Sequence, residues 1–207
     1  WQQNSGQVRG LFPYLTAQDQ ALVEACLALY AGKDGVDPLI ARLSKAARKE
    51  PVLAHARFVW RTKTGKRASA IEMLQASSKS EITLGKPAVW AKGRRSIAHD
   101  LLFDRKYKTA YRVAANHHLS SGVVYAELEW LAGYTALRHL NDPKTAQLNF
   151  ERMLLAVDTP ISLGRAYYWL GQAHKKQGNS DEARKIFAQG AKWLLWPSGN
   201  RCFGRLG

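Results

Sequence analysis

The residues of this chain best suited to catalysis are its carboxylates, and one close pair of glutamates is the first candidate. Glu127 and Glu129 are two positions apart, so on a helix their carboxyl groups diverge and do not converge on one bond, as glycoside hydrolysis would require. We expect instead that one of them pairs with a neighbouring arginine or a backbone amide. No catalytic residue is assigned to the chain.

The histidines and cysteines do not have the spacing of a metal site. His117 and His118 are adjacent, so on a helix they lie on different faces, unlike the i, i+4 pair that chelates a metal. We expect this pair at a helix end, where it would interact with the helix dipole. Cys26 and Cys202 form neither a CxxC pair nor a disulfide framework. The sequence therefore predicts no metal ligand and no cofactor.

Composition narrows the possible partners. The chain has 31 Lys+Arg against 16 Asp+Glu, a net charge of +15, which attracts polyanions over long range. These charges are dispersed and accompany no zinc-finger spacing, basic heptad region or RNA-binding aromatic motif, so specific nucleic-acid binding is not predicted. There is no GxSxG, HExxH, Walker or dinucleotide loop. No apolar run of about 18 residues occurs, so no membrane-spanning helix is predicted.

The elements that position these residues are predicted to be helices. Apolar residues recur at intervals of three and four, and sustained two-residue alternation is almost absent. A capping residue precedes proline at Asp37, Asp142 and Thr159, and Asn179 or Ser180 can cap the last helix. Helix breakers fall at residues 32–38, 50–51, 64–65, 85–87, 120–122, 141–143, 158–160 and 178–180.

A repeated pattern of small and large residues predicts tetratricopeptide-like α-hairpins. Gly171 on a first helix permits close approach, Ala183 on a second helix fits against it, and Phe187 fills the gap beside them. The small residue of the second helix recurs upstream at Ala146, Ala110 and Ala70. Because such hairpins cannot hide their apolar stripes alone, about five of them are expected to stack into an all-α superhelix, an α-solenoid with a concave working face.

Two parts of this array carry further expectations. The first hairpin is predicted to pair residues 19–30 with residues 37–49. Among the aromatic residues, Tyr167 occupies a large-residue position of the repeat and is expected in the core. Trp169, two residues further on, points elsewhere on the helix and either packs on the next repeat or faces a partner; packing is the favoured interpretation.

Three motifs resemble the helical region of soluble lytic murein transglycosylases of Gram-negative bacteria. They are an AEWLAG-like run at residues 128–133, a TPIS-x-x-RAxYWLG run at 159–171 and an xGDxxxA-like hairpin at 178–183. The run PAVWAKGRR at 87–95 is similar to the tryptophan and basic pair that open this region in relatives. The resemblance divides the chain into N-terminal superhelical hairpins at 1–85, linker-type repeats at 86–192 and an atypical tail at 193–207, for which no fold is assigned.

The resemblance implies a function in the cell wall. Family members are periplasmic enzymes that cleave the MurNAc–GlcNAc β-1,4 bond of peptidoglycan and leave a 1,6-anhydro-muramyl end. Their catalytic glutamate belongs to a separate lysozyme-like domain, whose Glu-Ser motif and GLMQ-like run do not occur here. The chain is therefore expected to be a noncatalytic, periplasmic scaffold that positions peptidoglycan strands and is inactive alone. The predicted binding cations are Arg94, Arg95, Arg105, Lys106, Lys108 and Arg112.

Two alternatives stay open. The chain could be a tetratricopeptide-type adaptor that grips a peptide or a helix of a protein partner in its groove. It could also retain transglycosylase activity, which the formation of 1,6-anhydro-muropeptides would show.

Overall fold

Every regular element in the part of the chain that the computed structural model describes, residues 5–194, is helical. Short connections join successive long helices, which pack against each other as hairpins. The predicted all-α, tetratricopeptide-like fold class is thereby confirmed. The α-helices are α1 Ser5–Gly10, α2 Ala17–Tyr30, α3 Asp37–Ala41, α4 Pro51–Lys63, α5 Arg67–Ser77, α6 Glu81–Leu84, α7 Pro87–Phe103, α8 Tyr107–Ala115, α9 Val123–His139, α10 Pro143–Leu155, α11 Pro160–Lys176 and α12 Ser180–Leu194. Two 3₁₀ turns lie at Phe12–Tyr14 and Ala47–Lys49.

Two of the predicted capping residues begin helices as expected. The Asp142 carboxylate accepts a hydrogen bond from the backbone N–H of Thr145 at 3.0 Å, and α10 begins at the next residue. The Thr159 hydroxyl accepts one from the backbone N–H of Ser162 at 3.3 Å, and α11 likewise begins at the proline that follows. These bonds satisfy N–H groups that have no partner within the first turn of a helix.

The predicted cap at Asp37 is wrong, and so is the long helix at residues 37–49. α3 already includes Asp37, while Val36 stands at the N-cap position and provides no side-chain hydrogen bond. After α3 the chain is irregular until the second 3₁₀ turn. The Ser44 hydroxyl accepts a hydrogen bond from the backbone N–H of Ala47 at 3.1 Å. Local bonds of this kind compete with the helical pattern, so the second helix of this hairpin is short.

The chain divides into two compact units. Unit 1 comprises the residues up to Ile97 together with Asn116–Leu119, and unit 2 comprises Ala98–Ala115 and the residues from Ser120 on. The boundary at Ile97 falls inside α7, whereas the family resemblance places a domain boundary after residue 85. That division at residue 85 stays a prediction. From residue 195 on, the predicted tail lies outside the described residues.

Unit 1 packs α2, α4 and the first part of α7 around an apolar core. Trp90 is completely buried, and its indole N–H donates to the carbonyl oxygen of Leu84 at 3.0 Å. Its ring centroid lies 5.0 Å from that of Phe58. Gly93 lets α7 approach the same phenylalanine, because a Cβ atom there would lie only 2.8 Å from the ring. The core also contains Ala25, Leu29, Leu53 and Ala56.

Unit 2 contains the predicted contact between a glycine of a first helix and a phenylalanine of a second helix. A Cβ atom on Gly171 would lie 2.5 Å from the ring of Phe187, so only glycine admits this phenylalanine without a shift. Gly133 and Phe150 repeat the arrangement in the preceding hairpin, with a distance of 2.6 Å. The small residues predicted for the second helices are each at most 2% exposed in their own units; they are Ala70, Ala110, Ala146 and Ala183.

Candidate binding site on helices α9 and α11

Two matching stripes of side chains define a candidate site in unit 2. The first stripe is Trp130, Tyr134 and Arg138 on α9, and the second is Tyr168, Gln172 and Lys176 on α11. Within a stripe the residues are four positions apart, a spacing that places them on one face of a helix. Each stripe also stands at the same offset from the glycine of its repeat, Gly133 or Gly171. Hairpin packing therefore presents equivalent positions of the two helices together.

A cavity of about 380 Å³ lies against the C-terminal parts of these stripes. Its polar and aromatic lining consists of Arg138, His139, Asn141, Tyr168, Trp169, Gln172 and Lys176. Both cations are exposed, and no carboxylate is among the described residues that line the cavity. Its volume falls within the usual range for sites that bind small groups, about 300–1,000 Å³. The cavity thus offers cations, amides and aromatic rings together.

Trp169 packs against the aromatic rings beside the cavity. Its ring centroid lies 5.0 Å from that of Tyr134 at a nearly perpendicular angle, and 5.3 Å from that of Tyr168. It also lies within 6.1 Å of Phe150. Such edge-to-face contacts add to the stability gained by burial. Trp169 packs as expected, but on the preceding hairpin formed by α9 and α10 and not on the next repeat. Tyr168 is left half exposed at the cavity.

Tyr167 takes the core position that the repeat predicts. It is half-buried and packs with the unit 2 core. Its Cβ atom lies where α12 approaches through Gly190, since a Cβ atom on that glycine would be 2.8 Å away.

Arg165 marks the other end of the α11 stripe. Its guanidinium carbon lies 5.0 Å from the ring centroid of Trp130, a cation–π contact between α11 and α9. The indole N–H of Trp130 is buried and has no hydrogen-bond acceptor among the described residues. The exposed Arg165 side chain therefore lies over the Trp130 ring at this end of the site. Lys176 lies three helical turns further along α11.

His139 joins α8 to the cavity. Its ring stacks on Tyr107 with a centroid distance of 4.0 Å and an interplanar angle of 7°. Partial desolvation, and then the charge of Arg138, lower the pKa of His139 below its ordinary value. The imidazole is accordingly neutral at pH 7, and the two permanent cations of the cavity are Arg138 and Lys176.

The six predicted binding cations fall in both units and outside this cavity. Arg94 is only 1% exposed, and its Nη2 donates to the Ser78 hydroxyl at 2.6 Å. Burial lowers the pKa of Arg94 to about 10. A buried guanidinium is not presented to a ligand, so the described structure does not offer Arg94 as a surface contact. Arg95 is half-buried in unit 1, whereas Arg105, Lys106, Lys108 and Arg112 are exposed in unit 2. For these five, binding stays a prediction.

The carboxylate interpretation made from sequence is confirmed. Glu129 is buried on α9, and one of its oxygens lies 3.9 Å from the Arg152 guanidinium. Such a buried acid is held in place by its surroundings and has a structural role.

The prediction for the two adjacent histidines is wrong. α8 ends at Ala115, so His117 and His118 lie beyond the helix and not in its last turn. The Nδ1 atom of His117 accepts a hydrogen bond from the backbone N–H of Leu119 at 2.9 Å. His118 Nε2 lies 3.0 Å from the carbonyl oxygen of Ser78. Both imidazoles thus stabilise a loop of unit 1.

The described residues do not provide the groups that metal or thiol chemistry needs. In residues 5–194, no group of three or more His, Cys, Asp or Glu side chains is placed to hold a metal ion. None of the helices in that range is both long enough and apolar enough to cross a bilayer. Cys26 lines a mostly apolar cavity of about 210 Å³ in unit 1, and burial raises the pKa of its thiol to about 12. A thiol that stays protonated is a poor nucleophile.

Comparisons with known proteins do not support the family resemblance. No family model matches the chain. No curated protein matches it either. Among solved structures, "MamA MSR-1 C2" is similar at 14% identity, with 86% of this chain and 96% of that chain covered and a TM-score of 0.41. That score is too low to support an argument about function.

The prediction that the chain belongs to the soluble lytic murein transglycosylases is therefore wrong, and peptidoglycan binding has no support from the comparisons. The periplasmic location was implied by the same resemblance and stays a prediction. The motifs behind it coincide with packing positions: Leu128 and Leu170 are buried, and Gly133 and Gly171 receive phenylalanine rings. Any hairpin with this packing needs such residues, whatever its function.

Sequence reasoning missed the cations of the cavity, although a signal was present. Arg138 stands five residues after Gly133, and Lys176 stands five residues after Gly171. Aligning the two first helices on their glycines places both cations at equivalent positions. The predicted cations were instead chosen from the clusters around α7 and α8.

Proposed function

We propose that the chain is a noncatalytic interaction scaffold of the tetratricopeptide type, in which the face formed by α9 and α11 binds a segment of a protein partner. One observation carries the proposal: the stripes of two consecutive first helices line a common cavity with exposed aromatic and cationic side chains. A packed core does not need these side chains, because the glycines, alanines and phenylalanines of the hairpins already fill it.

The chemistry of the face suits a peptide better than a reacting substrate. Exposed aromatic rings give large contact area at little cost in side-chain entropy, and tyrosine, tryptophan and arginine dominate the energetics of protein interfaces. Gln172 and Asn141 supply amide donors and acceptors for a peptide backbone. No nucleophile paired with a base lies among the described cavity residues.

The proposal is tested by selecting ligands from a displayed random-peptide library with the full chain. Selected peptides are then synthesised and their affinities for the parent and for Tyr168→Ala are measured by fluorescence anisotropy. Tyr168 is half exposed and its ring contacts those of Trp169 and Phe187, so the variant is compared with the parent only after its urea midpoint is shown to be parental. Loss of one interface anchor of this kind costs about 1.4 kcal/mol or more, so we expect at least about tenfold weaker binding.

Tyr14→Ala is the matched control, since Tyr14 is an exposed tyrosine of unit 1. It should bind the selected peptides as the parent does. Equal affinity of Tyr168→Ala and parent for every selected peptide would refute the proposed site. Sedimentation with murein sacculi that depends on Tyr168 would show that the ligand is not a protein.

A further inference from the structure

We propose that the α9–α11 site selects an extended peptide segment in which two acidic side chains, four residues apart on one face, flank an apolar or aromatic side chain. This inference rests on the proposed function and deepens it by naming the chemistry of the ligand. It depends on the positions of three cations and of the rings between them.

Two cations lie beside the cavity. Arg138 and Lys176 are exposed, line the same cavity and meet no carboxylate in its described lining. The nearest acid in sequence, Asp142, is already engaged: hydrogen bonds from the Thr145 hydroxyl and backbone N–H lower the pKa of its carboxyl. Two unneutralised cations at one cavity attract a carboxylate, and the net charge of +15 adds long-range steering.

A third cation lies at the opposite end of the site. Arg165 is exposed on α11 and is held over the Trp130 ring. It precedes Lys176 by eleven residues, close to three full turns, so both cations project from the same face of the helix. At about 1.5 Å per residue, their α-carbons are separated by about 16 Å along the axis.

An extended peptide can match this separation. It advances about 3.3 Å per residue and alternate side chains share a face, so two acidic side chains four residues apart lie about 13 Å apart on the same face as the side chain midway between them, and the long arginine and lysine side chains cover the remaining distance of about 3 Å. A carboxylate at each end of such a segment would meet Arg165 at one end and the Arg138–Lys176 pair at the other. Between them Tyr168 is 50% exposed, which leaves ring surface for an apolar or aromatic side chain of the ligand.

The anionic groups are assigned to side chains because there are two anchoring points. A chain has one C-terminal carboxylate, which could satisfy only one of them. A segment with two acidic side chains satisfies both, and its affinity falls as salt screens the exposed charges.

The test uses synthetic peptides with acetylated and amidated ends, so that only side chains are charged. The parent peptide has two glutamates four positions apart with a phenylalanine midway between them. Three comparison peptides, the relatives of the parent peptide, are also made. The first has glutamine in place of both glutamates, and the second has the same composition with adjacent glutamates. The third is a helix-forming peptide with glutamates eleven positions apart. Affinities for the full chain are measured by fluorescence anisotropy at low and physiological salt.

We expect the parent peptide to bind at least tenfold more tightly than each relative, since one lost charge-assisted contact amounts to about that factor. Arg165→Gln and Arg138→Gln should each weaken its binding by about tenfold. Lys175→Gln is the matched control: Lys175 is exposed on the same helix and does not line the cavity. It should leave the affinity unchanged.

Several results would overturn this inference. Equal binding of the peptide with adjacent glutamates would show that the site does not select the spacing of the acids. An unchanged affinity of Arg165→Gln would show that Arg165 does not bind the second carboxylate. Tighter binding of the helical peptide would show a helical ligand. Tighter binding of a version of the parent peptide made with a free C-terminus would show that the site takes a terminal carboxylate. If no peptide of the series binds while library-selected peptides still depend on Tyr168, the scaffold function stands and the acidic ligand is wrong.

Discussion

Replacement of Gly133 by alanine should destabilise the chain more than the same change at Gly171. In both cases a new Cβ atom would meet a phenylalanine ring, at 2.6 Å for Gly133 and 2.5 Å for Gly171. The expected loss of stability differs because the two phenylalanine rings are buried to different degrees. Phe150, opposite Gly133, is completely buried, whereas Phe187 is half-buried at the side of α12 and can move toward solvent.

The magnitude follows from two opposing effects. Overpacking of a core costs about 1–3 kcal/mol. Replacing glycine with alanine inside a helix gains about 1 kcal/mol. Because Phe150 is completely buried, overpacking at Gly133 lies in the upper part of that range, about 2–3 kcal/mol, and Gly133→Ala should lose about 1–2 kcal/mol of unfolding free energy. At Gly171 the half-buried ring keeps the overpacking cost near about 1 kcal/mol, so Gly171→Ala should stay within about 0.5 kcal/mol of the parent.

Urea unfolding followed by far-UV circular dichroism measures this difference. With a slope of about 2 kcal/mol per molar urea, the midpoint of Gly133→Ala should fall by about 0.5–1 M. Gly10→Ala is the control, because a Cβ atom there meets nothing within 4 Å. A second substitution, Phe150→Leu, should recover part of the loss by making room. Gly133→Ala at parental stability, or Gly171→Ala as the less stable variant, would refute this account of the packing.

Three further substitutions test other features. Arg105 has a φ of +58°, so Arg105→Gly should raise the unfolding free energy by about 0.5–1 kcal/mol, measured by urea unfolding; a loss would show that this side chain is needed. Burial lowers the pKa of His55, so stability should be full above about pH 6.5 and fall as pH drops below it; in an NMR titration, a His55 resonance that titrates at 6.5 would contradict this. Arg94→Ala should cost about 2–4 kcal/mol of thermal or urea stability, because it leaves a cavity and deprives the Ser78 hydroxyl of its donor, whereas exposed Arg112→Ala should change little.

Local features of this protein were readable from its sequence because they depend on neighbours along the chain. The caps at Asp142 and Thr159 begin α10 and α11 through hydrogen bonds three residues away. The spacing of Gly171, Ala183 and Phe187 predicts a hairpin, since one turn brings these side chains into contact. The failure at Asp37 is only partly local: the Ser44 hydroxyl accepts from Ala47 three residues on, but the Ser44 backbone N–H donates to the side-chain oxygen of Gln18, 26 residues earlier.

Properties that depend on distant residues were decided only by the tertiary structure. Arg94 belongs to a run of basic residues that reads as a binding surface, yet the fold buries it beside Ser78, sixteen residues earlier. Arg138 and Lys176 are 38 positions apart, and only the packing of α9 with α11 places them in one cavity. The sequence by itself determined which segments become helices and how each hairpin closes, because those forces act within a few residues. Exposure and proximity depend on which surfaces meet, so the location of the site was decided by the fold.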